Sequence, residues 1–175
     1  LQNRLRRIKN KILVYNKTME QKNKEQTSYY WLGPIKLEIG SIIFPGNWGR
    51  IINLYTGESL QNLIIFSREQ VFEKVRIQNY STKPSRLTSI FLCKSKEELD
   101  TFRQLSGGRL WDIAYKVEII DNKPIFETDY TFANFPQGSF QLQEFEIMAH
   151  RYWKGENIQH LEILTESRIK IIQKL

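Results

Sequence analysis

Apolar side chains occupy every second position in one stretch near the middle of the chain. They are Trp111, Ile113, Tyr115, Val117 and Ile119. Successive side chains of a strand point to opposite faces, so this alternation predicts a strand with one buried face. Residues 121–124, with the sequence Asp-Asn-Lys-Pro, predict the turn that follows it.

Further strands are predicted on both sides of this one. Residues 29–32 form a short apolar run, and residues 35–44 continue it after a Gly-Pro pair. Residues 87–93 predict another strand, and residues 160–165 and 168–173 predict the last two.

Serine residues that can accept from free backbone N–H groups mark the starts of the predicted helices. Two of these serines are followed three residues later by Gln or Glu, which is the spacing of a capping box. The predicted helices span residues 67–78, 95–105 and 139–153. Because helices and strands interleave without a regular βα repeat, the sequence predicts an α+β domain.

Near the N-terminus, apolar residues recur at helical spacing with arginines and lysines between them. They are Leu1, Leu5, Ile8 and Ile12. This pattern predicts an amphipathic basic helix to about Lys17, followed by a polar linker. We therefore divide the chain into the basic helix with its linker, residues 1–28, and a domain at residues 29–175. The chain begins with leucine rather than methionine, so we expect it to be part of a longer sequence.

The positive charge of the chain is concentrated in this N-terminal segment. Of the net charge of +7, residues 1–26 contribute +6, and the remaining residues contribute +1. With 41% hydrophobic and 13% aromatic residues, the nearly neutral remainder can form a well-packed core. The basic segment indicates contact with nucleic acid or with a partner protein, and a surface helix packed on its own domain explains the pattern equally well.

The sequence lacks the signals of several protein classes. Cys93 is the only cysteine, which excludes an intrachain disulfide and a four-cysteine zinc site, so we expect a cytoplasmic protein. No stretch has the length and apolar character of a membrane span or a secretory signal. Dinucleotide-binding, P-loop, nucleophile-elbow and zinc-protease motifs are absent. We expect no metal site, since His150 and His160 are the only histidines.

Glu162 is the residue whose position most needs an explanation. It lies inside an apolar run, and ionised carboxylates are rarely buried without a partner or a catalytic role. His160 is expected on the same face of that strand, while Arg86 and Ser89 lie on or beside another strand. Together these groups can hold a phosphorylated sugar and stabilise positive charge on its ring. Each also has an ordinary structural explanation, such as a salt bridge at the end of a sheet.

Residues 45–50, with the sequence Pro-Gly-Asn-Trp-Gly-Arg, predict a loop. Two glycines allow close approach to the backbone, while Trp48 and Arg50 offer a ring and a guanidinium. This composition suits a phosphate-bearing ligand, and it equally suits a tight surface turn with a buried tryptophan.

Three segments of the sequence resemble those of a known family. They are residues 84–93 (Pro-Ser-Arg-Leu-Thr-Ser-Ile-Phe-Leu-Cys), 149–155 (Ala-His-Arg-Tyr-Trp-Lys-Gly) and 162–164 (Glu-Ile-Leu). With the alternating strand they resemble a group of bacterial toxin-type domains in the ADP-ribosyltransferase superfamily, over about residues 29–173. The resemblance implies two small, mainly antiparallel sheets that form a cleft flanked by helices. It also implies that NAD⁺ binds in this cleft as a co-substrate.

The resemblance assigns catalytic roles to two residues. Glu162 resembles the catalytic glutamate, which hydrogen-bonds the nicotinamide ribose and stabilises the oxocarbenium-like state as nicotinamide leaves. Ser89 resembles the hydroxyl on a middle strand that orients this glutamate and the ribose.

Other residues are assigned to ligand binding by the same resemblance. Arg86 and Arg50 are expected to hold the pyrophosphate, with Trp48 beside them. Tyr30 or Trp31 is expected to stack on nicotinamide, at a position where the superfamily has Arg or His.

The acceptor side of the expected cleft is assigned to His160 and Tyr152. His160 stands where many members of the superfamily have Gln or Glu to meet the acceptor, and its imidazole can transfer a proton.

The resemblance thus implies a mono-ADP-ribosyltransferase that acts on a macromolecule, as the toxin of a bacterial toxin-antitoxin or phage-defence system. The basic segment favours RNA or DNA as the acceptor, RNA first, and leaves a protein acceptor or an antitoxin partner open. One alternative is a metal-independent ribonuclease that uses Glu162 with His160 or His150 and places Arg86 on the phosphate. Another is a nonenzymatic module that binds nucleic acid or a partner protein.

Overall fold

A computed structural model describes residues 28–55, 57, 59–106, 109–134 and 142–175. The predicted basic helix and residues 18–27 of the predicted linker lie outside these ranges. Within the described residues, no helix is long and apolar enough to cross a membrane.

The fold is α+β, as predicted, with two small antiparallel sheets and flanking helices. The strands are β1 (Ser28–Gly33), β2 (Ile42–Ile43), β3 (Ile90–Leu92), β4 (Ile113–Ile119), β5 (Ile125–Asp129), β6 (Leu161–Thr165) and β7 (Ile169–Lys174). The helices are α1 (Asn47–Ile52), α2 (Leu60–Asn79), α3 (Lys96–Leu105) and α4 (Leu142–Lys154), with a 3-10 helix at Tyr130–Ala133. The strand order is β1-β4-β7-β2 in the first sheet and β3-β6-β5 in the second.

Strand alternation explains how these elements form layers. The two sheets pack face to face through a cluster that includes Tyr115 and Ile171 from the first sheet and Ile163 from the second. The opposite face of the second sheet packs against α2 and α4, where Phe72 and Trp153 are fully buried. The second sheet is therefore covered on both faces, which explains why β6 is apolar almost throughout.

The remaining face of the first sheet packs against α3. Leu32 and Ala114 from the sheet meet Leu99 of the helix. The predicted capping box begins this helix: Glu98 N–H donates to Ser95 Oγ at 3.1 Å, and Ser95 N–H donates to Glu98 Oε2 at 3.0 Å. This prediction is confirmed.

The predicted loop at residues 45–50 is wrong, because most of it belongs to α1. Gly46 caps the helix with φ of 89°, a conformation that glycine adopts without strain. Gly49 then lies against the backbone of Leu87, and its N–H donates to the Leu87 carbonyl at 3.2 Å. A tertiary contact thus stabilises a helix that local propensity disfavours.

The start of α2 is also corrected. The cap is Ser59, whose Oγ accepts from Asn62 N–H at 3.4 Å, and the predicted cap Ser67 lies inside the helix. Ser67 Oγ donates to the Leu63 carbonyl at 2.8 Å, the back-bond typical of serine within helices.

The alternating strand is shorter than its pattern. β4 begins at Ile113, and Trp111 precedes it with 94% of its surface exposed. Similarly, the strand predicted at residues 87–93 is regular only at Ile90–Leu92.

In the part of the chain that the structure describes, an isolated bridge joins the two sheets where β1 meets β3. Tyr30 and Cys93 form an isolated antiparallel bridge, with both backbone hydrogen bonds at 2.9 Å. Beyond this bridge the two strands diverge, because β1 continues along β4 while β3 continues along β6. The divergence leaves a fork between two sheet edges.

Candidate functional site

A cavity of about 380 Å³ lies in this fork, and we call it the fork cavity. Its walls come from the end of β1, from α1, from residues 89–93, from α3 and from the 3-10 helix. Antiparallel register explains the location: Trp31 and Leu32 would face Leu92 and Phe91 if the pairing continued past the bridge. Instead, these residues line opposite walls of the fork cavity.

Glu162 reaches the fork cavity from the central strand of the second sheet. It is 7% exposed, and its register partner on β5 is Thr128. Its Oε2 accepts from Arg86 Nη1 at 2.8 Å and from Tyr152 OH at 2.5 Å. Its Oε1 has no hydrogen bond to any described residue, so this oxygen is available to a ligand.

Behind Glu162 lies a buried network of alternating charges. Arg86 Nε donates to Glu69 Oε2 at 3.1 Å, and Arg68 Nη2 donates to Glu69 Oε1 at 2.7 Å. Arg68, Glu69 and Arg86 are 7%, 1% and 6% exposed. Two cations thus balance two carboxylates, counting Glu162, which is the arrangement that makes burial of charges tolerable.

The pKa values in this network follow from burial and pairing. Burial favours neutral forms, but Arg86 and Arg68 outweigh it at Glu69 and hold the pKa of that carboxyl below its usual range. At Arg86, burial acts to lower the pKa, but Glu69, Tyr152 and Glu162 raise it well above its ordinary value. Burial is the main cause that raises the pKa of Tyr152, and the charge of Glu162 raises it further. Arg86 acts in the opposite direction but does not offset them. Tyr152 therefore keeps its proton and donates it to the hydrogen bond with Glu162.

Three buried polar atoms at the fork cavity lack a hydrogen-bond partner among the described residues. They are Ser89 Oγ, Tyr130 OH and Trp48 Nε1. Ser89 is 2% exposed and Tyr130 is 6% exposed. Unsatisfied buried polar atoms are costly and therefore rare in native proteins. Three of them on one cavity are groups that water or a polar ligand can pair there.

Trp48 depends on a glycine for its position. A Cβ at Gly49 would lie 2.3 Å from the backbone oxygen of Leu87, so only glycine allows α1 to approach this closely. The approach places Trp48 on the wall of the fork cavity, with its ring edge-on to Tyr55 at 6.5 Å.

Four of the residues that the sequence singled out line the fork cavity: Glu162, Ser89, Trp31 and Trp48. Glu162 and Ser89 are not neighbours, because Ile90, next to Ser89, pairs with Thr165 at the other end of β6 from Glu162. At about 3.3 Å per strand residue, this register separates Ser89 from Glu162 by on the order of 10 Å along the sheet. Trp31 also packs on Tyr115, with ring centroids 5.9 Å apart.

The two arginines expected at a pyrophosphate lie elsewhere. Arg86 is not at the cavity wall, because its guanidinium is buried between Glu69 and Glu162. Arg50 is exposed on α1 and does not line the fork cavity. Tyr30, whose backbone forms the bridge, packs its side chain with the cluster of Leu32 and is likewise absent from the cavity wall.

The two residues expected on the acceptor side also have different surroundings. Tyr152 is fully buried behind Glu162, so it is not accessible to an acceptor. His160 is partly buried and packs on Tyr130, with ring centroids 5.6 Å apart, so it supports the cavity wall from outside. Its backbone N–H donates to Asp129 Oδ2 at 3.0 Å.

Sequence reasoning missed several residues of the site. Tyr130 carried no pattern that distinguished it from a core aromatic residue. Arg109 lines the fork cavity and is held by Asp112 at 2.7 Å and by the Leu32 carbonyl at 2.8 Å. Glu69 gave only a weak signal in the sequence, a carboxylate within a predicted helix. In the structure its side chain is buried, at 1% exposure.

The described residues contain no group of three or more His, Cys, Asp or Glu side chains arranged to bind a metal ion. Cys93 at the fork is buried, and burial raises the pKa of its thiol to about 12. Glu162 is a buried carboxylate among the residues that line the fork cavity.

Comparisons with known proteins give a family without an assigned activity. Residues 48–175 match the family described as "Protein of unknown function (DUF2441)". The match covers well over half of the chain, and the chain belongs to this family. A search of curated proteins found no match. The matched region contains Glu162, Ser89 and Arg86 and begins after β1.

Proposed function

We propose that this member of the DUF2441 family is a mono-ADP-ribosyltransferase that uses NAD⁺ at the fork cavity. The observation that carries the proposal is Glu162, which is held at one oxygen by Arg86 and Tyr152 and has no hydrogen bond at the other, on the wall of the fork cavity. A carboxylate fixed on the wall of a cavity between two sheet edges suits stabilisation of positive charge on a sugar.

The residues of the fork cavity fit the nicotinamide end of NAD⁺. The volume of about 380 Å³ lies in the range of roughly 300–1,000 Å³ that is usual for small-molecule sites. The rings of Trp31 and Trp48 line the wall and offer faces for a cationic ring. A carboxamide carries one acceptor and two donors, which complement the N–H and C=O groups of a strand edge such as that of β1 or β3.

The proposed reaction exchanges one glycosidic bond for another. The bond between the ribose and nicotinamide breaks, its electron pair leaves with nicotinamide, and a bond forms between the ribose and an acceptor nucleophile. Glu162 stabilises the charge that develops on the ribose, and its free oxygen accepts a hydrogen bond from a ribose hydroxyl. Ser89 Oγ lies on the same cavity but toward the other end of β6, and it is proposed to orient a part of the ligand away from Glu162. The acceptor's proton passes to solvent or to a nearby base.

The acceptor is proposed to be a nucleic acid, RNA first. The support is the basic segment at residues 1–26, which carries most of the net charge of +7. We extend the proposal to a role as a cytoplasmic toxin of a toxin-antitoxin or phage-defence system, in which an antitoxin is the partner. The ribonuclease alternative loses one of its parts, because it requires Arg86 on a phosphate and Arg86 is buried against two carboxylates.

Label transfer from NAD⁺ tests the proposal. The protein is incubated with NAD⁺ labelled in the adenylate, together with separate pools of RNA, DNA and bacterial protein. We expect the wild type to label one pool, RNA in the first place, and Glu162→Gln to label none. Glu127→Gln is the matched control, because Glu127 lies on the neighbouring strand and is exposed. Cleavage of RNA without NAD⁺ would instead favour a ribonuclease, and no change in any pool would favour a binding module.

A further inference from the structure

The buried network behind the fork cavity ties down one oxygen of Glu162. Arg86 and Tyr152 both donate to Oε2, at 2.8 Å and 2.5 Å. Arg86 is in turn fixed by Glu69 on α2, which accepts from its Nε at 3.1 Å. A continuous chain of charged hydrogen bonds thus runs from α2 to the carboxylate on β6.

Aromatic rings hold the plane of the Arg86 guanidinium. Its central carbon lies 4.8 Å from the ring centroid of Tyr152 and 4.9 Å from that of Phe91. Phe91 lies on β3, whereas Tyr152 lies on α4. The guanidinium therefore has one orientation, fixed by a strand of the second sheet and by a helix that packs on one face of that sheet.

Stability alone does not account for this network. Buried ion pairs can often be replaced by apolar side chains of similar volume with no loss of stability. A buried network that ends in a carboxylate with a free oxygen on a cavity serves another purpose, which is to fix where that oxygen points. Fixed polar groups are the means by which enzymes stabilise charge without reorganisation during the reaction.

We propose that Glu69 and Tyr152 are positioning residues for Glu162. Glu69 acts through Arg86, and Tyr152 acts through its own hydrogen bond to Glu162. They hold Oε2 in the network and thereby direct Oε1 into the fork cavity. This inference rests on the proposed function, because it assigns a purpose to the geometry of the proposed catalytic carboxylate. Tyr152 and Glu69 touch no ligand themselves, since they are 0% and 1% exposed.

The protonation states of the network support this arrangement. Burial, with Glu162, raises the pKa of Tyr152 well above its ordinary value, so the phenol stays a donor at physiological pH. Burial disfavours ionisation of Glu69, but Arg86 and Arg68 hold its pKa below the usual range, so it stays an acceptor. The arrangement is therefore constant over the pH range in which enzymes work.

The test measures nicotinamide release from NAD⁺ by Tyr152→Phe and Glu69→Gln. Tyr152→Phe removes one hydrogen bond and keeps the ring, and Glu69→Gln keeps the shape of the side chain. We expect each to lower kcat about 100-fold, the effect of a misplaced catalytic group, while KM changes less than about 3-fold. A merely structural role would lower only the amount of folded enzyme, so kcat is expressed per folded protein, as measured by circular dichroism, and a structural role would leave that kcat unchanged.

Matched controls lie outside the network. Tyr80→Phe removes a phenol that contacts His150 Nδ1 at 3.3 Å, and Glu118→Gln alters a carboxylate that is 9% exposed and paired with Lys170. Both controls should keep the kcat of the wild type. If Tyr152→Phe and Glu69→Gln also keep it, the positioning role is overturned while the proposed function stands.

A second measurement separates this inference from the proposed function. The side-chain carboxyl carbon of Glu162 is observed by ¹³C NMR in protein labelled at glutamate. We expect its resonance to move in Tyr152→Phe and Glu69→Gln and to stay in the two controls. If the wild type releases no nicotinamide, the proposed function fails and this resonance alone decides the positioning. A resonance that stays in Tyr152→Phe, which removes a single oxygen, would overturn it.

Discussion

Replacement of Arg86 by methionine tests the buried network through stability. Methionine keeps much of the apolar stem but removes the charge that two carboxylates share, Glu69 at 3.1 Å and Glu162 at 2.8 Å. The Glu69 side chain is 0% exposed, so water cannot replace its lost partner, and that of Glu162 is only 9% exposed. Removing one partner of a buried ion pair costs about 3–5 kcal/mol.

The expected change in the unfolding temperature follows from this free energy. For a domain of this size, 1 kcal/mol corresponds to about 2–4 °C, so Arg86→Met should lower Tm by about 6–20 °C. Scanning calorimetry of both proteins at neutral pH measures the difference. Arg168→Met is the control, because the Arg168 side chain pairs with Asp121 but is 42% exposed, and solvent screens such a pair. We expect a far smaller loss of Tm in the control.

The loss in Arg86→Met should also depend on pH. In the wild type, burial acts to raise the pKa of Glu69, but Arg86 and Arg68 lower it below the usual range. A lowered folded-state pKa contributes stability above the unfolded pKa, about 4.3 for Glu, and this stability is lost as pH falls through the folded pKa. The gap between variant and wild type should therefore shrink below about pH 4. A gap equal to that of Arg168→Met at neutral pH would refute the buried network.

Three further predictions concern the walls of the site. The Asp129 carboxylate accepts hydrogen bonds from the N–H groups of Thr131, Gln159 and His160, and these bonds outweigh burial and lower its pKa. Asp129→Asn should therefore lower the free energy of unfolding by about 1–3 kcal/mol at neutral pH, and by less in acid. Denaturant titration measures this loss. The pKa of Cys93 is raised to about 12 by burial, so its thiol should react with iodoacetamide far more slowly at about pH 8 in the native protein than in denaturant. Gly155 has φ of 67°, and a Cβ there would lie 2.8 Å from the Glu127 carbonyl oxygen, so Gly155→Ala should lower stability by at least about 1–2 kcal/mol in calorimetry. Wild-type stability of Asp129→Asn would contradict the role of the Asp129 hydrogen bonds. Labelling of native Cys93 at the rate seen in denaturant would contradict its burial, and an unchanged Tm of Gly155→Ala would contradict the close approach at Gly155.

Local patterns were sufficient to predict the class of the fold and much of its content. The alternation over β4 and the capping box of Ser95 are local signals, and both correspond to elements of the structure. The start of α2 was misplaced because Ser67 has the capping-box spacing to Gln70, whereas Ser59, the observed cap, is followed at that spacing by Asn62.

The helix at Asn47–Ile52 could not be predicted from local sequence. Two glycines disfavour a helix here. The contact of Gly49 with the backbone of Leu87, 38 residues later in the sequence, stabilises it. Such a contact leaves no periodic trace in the sequence. The placement of Trp48 on the fork cavity depends on it.

The site was predictable only in part for the same reason. Glu162 was identifiable as a carboxylate in an apolar strand, and its burial agrees with that signal. Whether Arg86 meets a phosphate or a carboxylate depends on Glu69, which reaches it from a helix 17 residues earlier. Tyr130 was invisible, because an aromatic residue that lines a cavity and one that fills a core have the same pattern in sequence.

Nicotinamide release from NAD⁺ by the wild type, Glu162→Gln and Glu127→Gln tests the central claim most directly. The reaction needs no acceptor other than water, so it can be measured before the acceptor is identified. The proposed role of Glu162 predicts release by the wild type and by Glu127→Gln, and a loss of about 100-fold or more in Glu162→Gln. Equal rates in all three proteins, or no release by the wild type in the presence of RNA, DNA and protein acceptors, would contradict it.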